Sequence, residues 1–320
     1  MNQLIAHASS FVRKDEVKNI RFDIEITTHC NASCSFCPRS DVPFLKHMDL
    51  STLDQIILRL QALDVAPHIS LCGTGDCSTH PDLVEIVRRL TVIFPELSIT
   101  TNGYRINEKR ATDLLDAGLK VIHFSISELG DAYEKTYGLP FDHVVENILR
   151  FRDIAGNRCK VFISPISRKR LDLKVKAVKE FWEEKGFHDF LIMQFTNRAG
   201  SLDESYLCKS DDIGFSEIFV EDKSLGLCTV PFLYSLIGPD GNYYLCSHDF
   251  KKQRSFGNVF THSVADSLLL KKHYFEHDRM ACLGCSANPL STFARKNTET
   301  TIASYKEHVN AQGKIKWKFD

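Results

Sequence analysis

The sequence predicts an α/β protein built on a parallel sheet with helices packed outside it. Three observations carry that expectation. From about residue 21 to 200, short β-rich runs alternate with amphipathic helical stretches. The helical stretches carry start and stop residues where a helix needs them. The alternation forms six βα units in succession, which favours parallel strands joined by crossover helices. Six units fall short of the eight that close a full barrel. The pattern therefore suits an open partial (β/α)6 barrel, and periodicity alone leaves a flat doubly wound sheet as the alternative.

The strand candidates, in order, are residues 21–27, 68–72, 97–100, 120–125, 160–163 and 190–195. Ser51 and Asp54 resemble a capping box ahead of Leu53, Ile56, Ile57, Leu60 and Leu63, which recur at helical spacing. Pro81 suits a first helical turn before Leu83, Ile86, Val87 and Leu90. Gly118, Gly156 and Gly186 each follow a helical run, where a left-handed cap residue belongs. In either architecture the active face is the carboxyl end of the strands.

After Gly200 the alternation stops. The expected division is a barrel over 1–200, a polar connector over 201–227, a small module over 228–290 and a tail over 291–320. In the module, residues 233–237 and 243–246 flank Gly238-Pro239-Asp240-Gly241, which reads as a hairpin turn. The tail carries no chemical signal.

Composition narrows the class. The chain has 320 residues and a net charge of −1, so no basic field suggests nucleic acid or a membrane surface. Lys251-Lys252 and Lys271-Lys272-His273 read as solvated surface. No run approaches the ~18 apolar residues of a membrane span, and the N-terminus lacks a signal-peptide order, so a cytoplasmic protein is expected. Cytosolic thiols stay reduced, so its eleven cysteines point to metal or catalysis rather than disulfides. Seven fall into two spaced sets; Cys72, Cys77, Cys159 and Cys208 stand apart.

The first set follows the first strand: Cys30-Asn31-Ala32-Ser33-Cys34-Ser35-Phe36-Cys37. A loop this short can turn three thiolates inward around one small cluster. Three protein ligands on a four-iron cube leave one iron open for a substrate or cofactor. A three-thiolate zinc site with His29, or inert buried thiols, are the alternatives.

This CxxxCxxC motif, with an aromatic residue before its third cysteine, resembles the signature of the radical S-adenosylmethionine (radical SAM) superfamily. The resemblance implies a [4Fe–4S] cluster on Cys30, Cys34 and Cys37, with SAM on the open iron and Phe36 near the adenine. Cys72-Gly73-Thr74-Gly75-Asp76 resembles the family's Gly-Gly-Glu-Pro segment, which holds the SAM amino group; Asp76 stands for the usual glutamate and Cys77 for the proline. There, glycines would let backbone approach the ligand and the carboxylate would accept from the ammonium. Thr101 and Asn102 after the third strand, and Ser125 and Ser127 after the fourth, look familiar too, the serines suiting the ribose hydroxyls. The segment 194–200 resembles the sixth-strand region, where Arg198 would face the SAM carboxylate.

The second set is Cys228, Cys246, Cys282 and Cys285, spaced C-x12-G-x4-C and then C-x2-C. Four thiolates can close a tetrahedral site, and spacing alone leaves an iron–sulfur cluster and structural zinc open. The arrangement resembles the twitch module, a shortened SPASM domain, and so implies one auxiliary [4Fe–4S] cluster. The layout is similar to the radical SAM enzymes of aminoglycoside and nucleoside biosynthesis.

The resemblance implies that a reductant such as flavodoxin or ferredoxin delivers an electron, that SAM is cut to a 5′-deoxyadenosyl radical, and that this radical abstracts a substrate hydrogen atom. Oxidation of a small polar molecule through the auxiliary cluster is the expected outcome. That route needs a base, for which Glu25, His248 and Asp249 are candidates. Epimerisation would instead need a thiol hydrogen donor, and Cys77 and Cys208 are the candidates. Cys72 and Cys159 read as small buried hydrophobes. Only about 20 residues precede the first strand, which argues against a peptide substrate. An electron-transfer protein and an RNA-modifying enzyme are the rival classes, and the neutral charge argues against the second.

Overall fold

The computed structural model describes residues 21–63, 67–167, 173–202, 230–277 and 285. Cys208, Cys228 and Cys282 lie outside them, as do most of the connector and the whole tail.

Five parallel strands appear where the sequence places them: β1 (Arg21–Ile24), β2 (His68–Leu71), β3 (Ser98–Thr101), β4 (Val121–Phe124) and β5 (Lys160–Ile163). They pair in chain order through in-register parallel ladders. Helices α1 (Leu50–Gln61), α2 (Leu83–Thr91), α3 (Glu108–Asp116), α4 (Gly130–Tyr137) and α5 (Phe141–Ala155) connect them. Alternation along the strands sorts residues to two faces. Phe22, Ile24, Ile69, Leu71, Ile99, Ile122 and Phe124 are buried in one core with Leu53, Ile56, Leu90, Leu114 and Phe151 of the helices. The residues between them share the opposite, inner face, and there the chemistry is polar: Arg21, Asp23, Ser70, Cys72, Ser98, Thr100 and His123.

The far side of β5 departs from six equal units. The sixth strand is reduced to a single parallel bridge, Ile163 to Phe190, and a two-residue ladder between β6 (Ile166–Ser167) and β7 (Met193–Gln194). Helix α6 (Leu173–Glu183) joins those two short strands.

The C-terminal segment is continuous with the sheet. A short helix, α7 (Val230–Leu233), leads into β8 (Tyr234–Ile237), which pairs parallel with β1. The expected hairpin forms: Gly241 N donates to Gly238 O at 3.0 Å, and β9 (Tyr243–Tyr244) runs antiparallel to β8. The sheet order is therefore β5-β4-β3-β2-β1-β8-β9. Helix α8 (Val264–His277) follows.

Two expectations need correction. The helix at Ser51 begins a residue earlier, at Leu50 with Asp49 as its N-cap and no side-chain cap bond; Asp54 instead pairs with Arg89 of α2 at 2.8 Å. The lysine pairs are not both solvated surface. Lys252 and Lys271 are buried, because each finds a polar partner distant in sequence. Lys271 Nζ donates to Pro231 O at 3.1 Å and Ser235 Oγ at 3.0 Å, and burial pushes its pKa down to about 7. Lys252 Nζ lies 3.0 Å from Glu25 Oε2, with both side chains fully buried.

Candidate active site

The three cysteines of the first motif sit on the loop that leaves β1, all partly exposed. The loop is pinned at its backbone. Ser33 N and Ser35 N donate to Tyr137 O and Thr136 O at the end of α4, each at 2.9 Å. Arg39 reaches back to Cys30 O at 2.9 Å and Ala32 O at 3.2 Å. Nothing in the sequence singled out Arg39; a guanidinium two residues beyond the motif has no local signature.

The thiols are close enough to feel one another. Burial pushes Cys34 up, and Cys37 and Cys30 push it further. Burial likewise raises Cys30, with Asp76 and Cys37 adding to it and Arg39 opposing. Cys37 is raised by burial, while Arg198 and Arg39 pull it down. Crowded thiols with two cations beside them are a soft, anionic donor set once deprotonated, which suits an iron–sulfur cluster. Among the described residues, no three His, Cys, Asp or Glu side chains converge on a single ion. Three thiols carried on one eight-residue loop, acting on one another and opposed by Arg39 and Arg198, are a donor set that fits the cluster. His29 stacks on His47 with ring centroids 4.3 Å apart.

The loop after β2 packs under this one. Gly73 has no room for a side chain: a Cβ there would lie 2.5 Å from Glu25 Cγ. At Gly75 a Cβ would strike the backbone carbonyls of Thr27 and His29. Both glycines thus serve a close approach to the β1 strand end. Gly75→Ala is expected to cost about 1–3 kcal/mol, as overpacking does. It should also lower iron uptake, because the carbonyl it displaces belongs to the residue before Cys30. Thermal melts and iron assay after reconstitution check both.

Thr74 donates through its backbone N and its hydroxyl to Glu25 Oε1. The buried Asp76 carboxylate accepts from Ser78 N (2.9 Å), Ser78 Oγ (2.6 Å), Thr101 Oγ1 (2.9 Å) and Asn102 N (2.6 Å). It ties the β2 and β3 loops together. Asn102 Nδ2 then donates to Asn31 Oδ1 at 3.0 Å, carrying the tie into the cysteine loop. Ser127 Oγ accepts from Ile166 N at 2.9 Å, whereas Ser125 is partly exposed after β4. Phe36 is held edge-on between Tyr137 (5.6 Å) and Phe195 (6.3 Å).

Two of the unassigned thiols, Cys77 and Cys72, are placed differently from expectation, and Cys208 lies outside the described residues. Cys77 is packed in the core with its Sγ 3.2 Å from Thr100 O. Cys72, expected to be buried and inert, lies on the inner face with Arg21 Nη2 3.8 Å away. Burial and Asp23 raise its pKa to about 12, so it stays a thiol. Cys159 is buried, as its strand-edge position suggests.

Arg198 follows β7. It and Ala199 adopt left-handed backbone, φ 49 and 53, rare for residues with a Cβ. Its guanidinium lies 5.3 Å from the Phe250 ring centroid. Next to it, Thr196 Oγ1 bonds His248 Nδ1 at 3.1 Å. Burial and Arg198 push His248 down to about 3, so its ring is neutral at physiological pH. The thiols within electrostatic reach of Arg198 are Cys37, Cys285, Cys72 and Cys246. Both described members of the second set, Cys246 and Cys285, are buried. Asp249 is pushed up by burial, with Lys252 opposing, and accepts from Lys252 N at 3.1 Å.

Residues 24–167 match the family model described as the Radical SAM superfamily. That match covers just under half of the chain and makes this segment similar to radical SAM domains. The solved structure of BtrN in complex with AdoMet and 2-DOIA is similar over 84% of this chain and 93% of that chain, at 17% identity and a TM-score of 0.56. Streptococcus suis SuiB bound to the precursor peptide SuiA is similar over 85% of this chain and 70% of that chain, at 14% identity and a TM-score of 0.64. At such identities these likenesses speak to the fold: an α/β radical SAM partial barrel. Among curated proteins, a probable GTP 3′,8-cyclase of Thermococcus kodakarensis is 28% identical over 58% of this chain and 55% of its own length. A GTP 3′,8-cyclase of Rhizobium etli is 31% identical over 39% of this chain and 38% of its own length. The chain thus spans about half or less of these two curated relatives. Among the described residues, no helix is long and apolar enough to cross a membrane.

Proposed function

We propose that this chain is a radical SAM enzyme that oxidises a small polar substrate. The substrate would lie over the inner face of the sheet, and an electron would leave it for a second, four-thiolate cluster on Cys228, Cys246, Cys282 and Cys285. The observation that carries this reading is the tie between the 195–200 strand-end loop and the turn after Cys246: Arg198 packs 5.3 Å from the Phe250 ring centroid, and Thr196 Oγ1 bonds His248 Nδ1 at 3.1 Å.

When bound at Cys30, Cys34 and Cys37, the cluster with SAM supplies hydrogen-atom abstraction, and the protein supplies placement and exclusion of water. Arg39 and the Asp76–Thr101–Asn102 tie hold the cysteine loop in shape. Arg21, Asp23, Cys72, His123 and Ser164 give the inner face donors and acceptors for hydroxyl, amino or anionic groups. Arg21 Nε bonds Asp23 at 2.7 Å, and burial, then Arg21, push His123 down to about 4, so that ring binds as a neutral imidazole. Of the three candidate bases, Glu25 is held by Lys252 and Thr74, and His248 by Thr196. Asp249 has the raised carboxyl pKa that suits proton transfer.

A nucleotide belongs among the substrates to try, since the curated relatives are named GTP 3′,8-cyclases. A second reading, hydrogen return to the substrate without net oxidation, is favoured by the Cys72 thiol on the inner face. The reductant would be a flavodoxin or ferredoxin, and the setting cytoplasmic.

The test is turnover of reconstituted protein with SAM, dithionite and, in turn, aminocyclitols, sugars, nucleotides and peptides. Oxidation predicts 5′-deoxyadenosine together with a product two mass units lighter. Unchanged mass with one deuterium gained from heavy water would favour hydrogen return through Cys72. No 5′-deoxyadenosine with any substrate would leave only an electron-transfer role.

A further inference from the structure

A second concavity opens among the starts of α2, α3 and α5, at the strand ends that also carry the cysteine loop. Its volume is about 720 Å³, inside the roughly 300–1,000 Å³ range of small-molecule sites. None of its lining residues belongs to the inner face or to the cysteine loop, so it is separate from the site described above. Arg105, Lys109 and Arg110 bring three cations to it against a single carboxylate, Asp113. Arg110 is committed to Ser78 O, and Lys109 pairs with Asp113 at 2.6 Å. Arg105 is exposed and makes no hydrogen bond or ion pair among the described residues. The helix end is not what carries this charge, since Asn107 Oδ1 already accepts from Arg110 N at 2.9 Å. Beside the cations stand two rings, Tyr104 and His143, with centroids 4.9 Å apart and planes inclined by 58°. They form an open corner, not a closed stack. His143 Nε2 lies 3.2 Å from Tyr104 O, and Asn147 Nδ2 donates to the same carbonyl at 2.9 Å, which fixes the corner in place.

We propose that this groove binds a nucleoside diphosphate, with the phosphates on Arg105 and Lys109 and the base in the corner of Tyr104 and His143. A guanidinium fork matches phosphate oxygens in pairs, and an ammonium adds a point charge beside it. Arg105 has no competing partner, and Lys109 gives up only an exposed ion pair, an exchange that costs little. Two free cations four positions apart suit two phosphates better than one. A planar base finds an aromatic face on Tyr104, and Pro81 and Val84 supply an apolar wall. The floor of the groove is the outer side of the Asp76–Asn102 tie. Tyr104 N donates to Asn102 Oδ1 at 3.0 Å, and Arg110 holds Ser78, whose own N and Oγ donate to Asp76. The ligand would therefore rest on the same scaffold that holds the cysteine loop. The proposal stands on the groove alone and needs neither cysteine set to carry a cluster.

The experiment is isothermal titration calorimetry of the full chain, reconstituted anaerobically and saturated with SAM, with ADP, adenosine and pyrophosphate as probes. ADP is expected to bind about tenfold or more tightly than either fragment, because it alone engages the cations and the rings together. Arg105→Ala/Lys109→Ala removes two exposed side chains, so the fold should be kept and thermal melting unchanged. In that variant ADP and pyrophosphate should both weaken about tenfold or more. Tyr104→Leu should weaken ADP and leave pyrophosphate unaffected; the double variant keeps the idea testable if the leucine variant is unstable. ADP bound with equal affinity by the intact chain and the double variant would place the nucleotide elsewhere and overturn the proposal. No binding at millimolar ADP overturns it too. Pyrophosphate bound as tightly as ADP would reduce the groove to a cationic patch without a place for a base, and likewise sinks the proposal.

Discussion

Lys252→Met is expected to destabilise the protein by about 3–5 kcal/mol, the usual cost of removing one partner from a buried ion pair. Glu25 and Lys252 are both fully buried, 3.0 Å apart, and one belongs to the β1 end while the other follows the Cys246 turn. The other Glu25 oxygen takes both donors of Thr74, and Gly73 leaves the space that the glutamate occupies. Lys252 is held at φ 44, another left-handed position without glycine. Without the ammonium, the Glu25 carboxyl is left without its counterion in a place water does not reach. The double variant Glu25→Gln/Lys252→Met should recover most of the loss, because it removes both charges together. Denaturant unfolding of the three proteins checks this. A loss below about 1 kcal/mol in Lys252→Met, the range of an exposed pair, would show that the pair is open to water.

Asp76→Ala should be nearly as damaging, on the order of 4 kcal/mol. It strands four donors, and each buried orphan costs about 1–3 kcal/mol, not fully additively. Ser78 N, Ser78 Oγ, Thr101 Oγ1 and Asn102 N all lose their acceptor. The damage should spread to iron loading, because Asn102 holds Asn31 in the cysteine loop. Asp76→Asn keeps one acceptor oxygen and should fall between. The variant also separates two roles for this carboxylate. The family resemblance implies a contact with the SAM amino group, whereas the geometry ties the loops. Weakened SAM binding with unchanged stability would assign Asp76 to the ligand; lost stability and lost iron together would assign it to the scaffold.

What could be read in the sequence follows from how local each signal is. Strands β1 to β5 and their helices were legible because alternating periodicity is local, and β5 came out with the expected bounds. The CxxxCxxC loop was legible because its ligands lie within eight residues. The pairing of β8 with β1 was not, since residues more than 200 positions apart leave no mark on local pattern. For the same reason Lys252 and Lys271 looked like surface charges: the partners that make their burial tolerable are Glu25 and Ser235, far along the chain. The capping motif at Ser51 failed because Asp54 is committed to a tertiary pair with Arg89. Glycines 73 and 75 show a subtler limit. Their need for close approach was evident, but what approaches them is the β1 end and its loop.

The central claim is that the two cysteine sets hold two clusters. Its most direct test is iron and sulfide content after anaerobic reconstitution, comparing the intact chain with the Cys30/Cys34/Cys37→Ala variant. Two clusters predict about eight irons falling to about four. About four irons falling to none, with zinc retained on the C-terminal set, would contradict the account and remove the electron acceptor on which substrate oxidation depends.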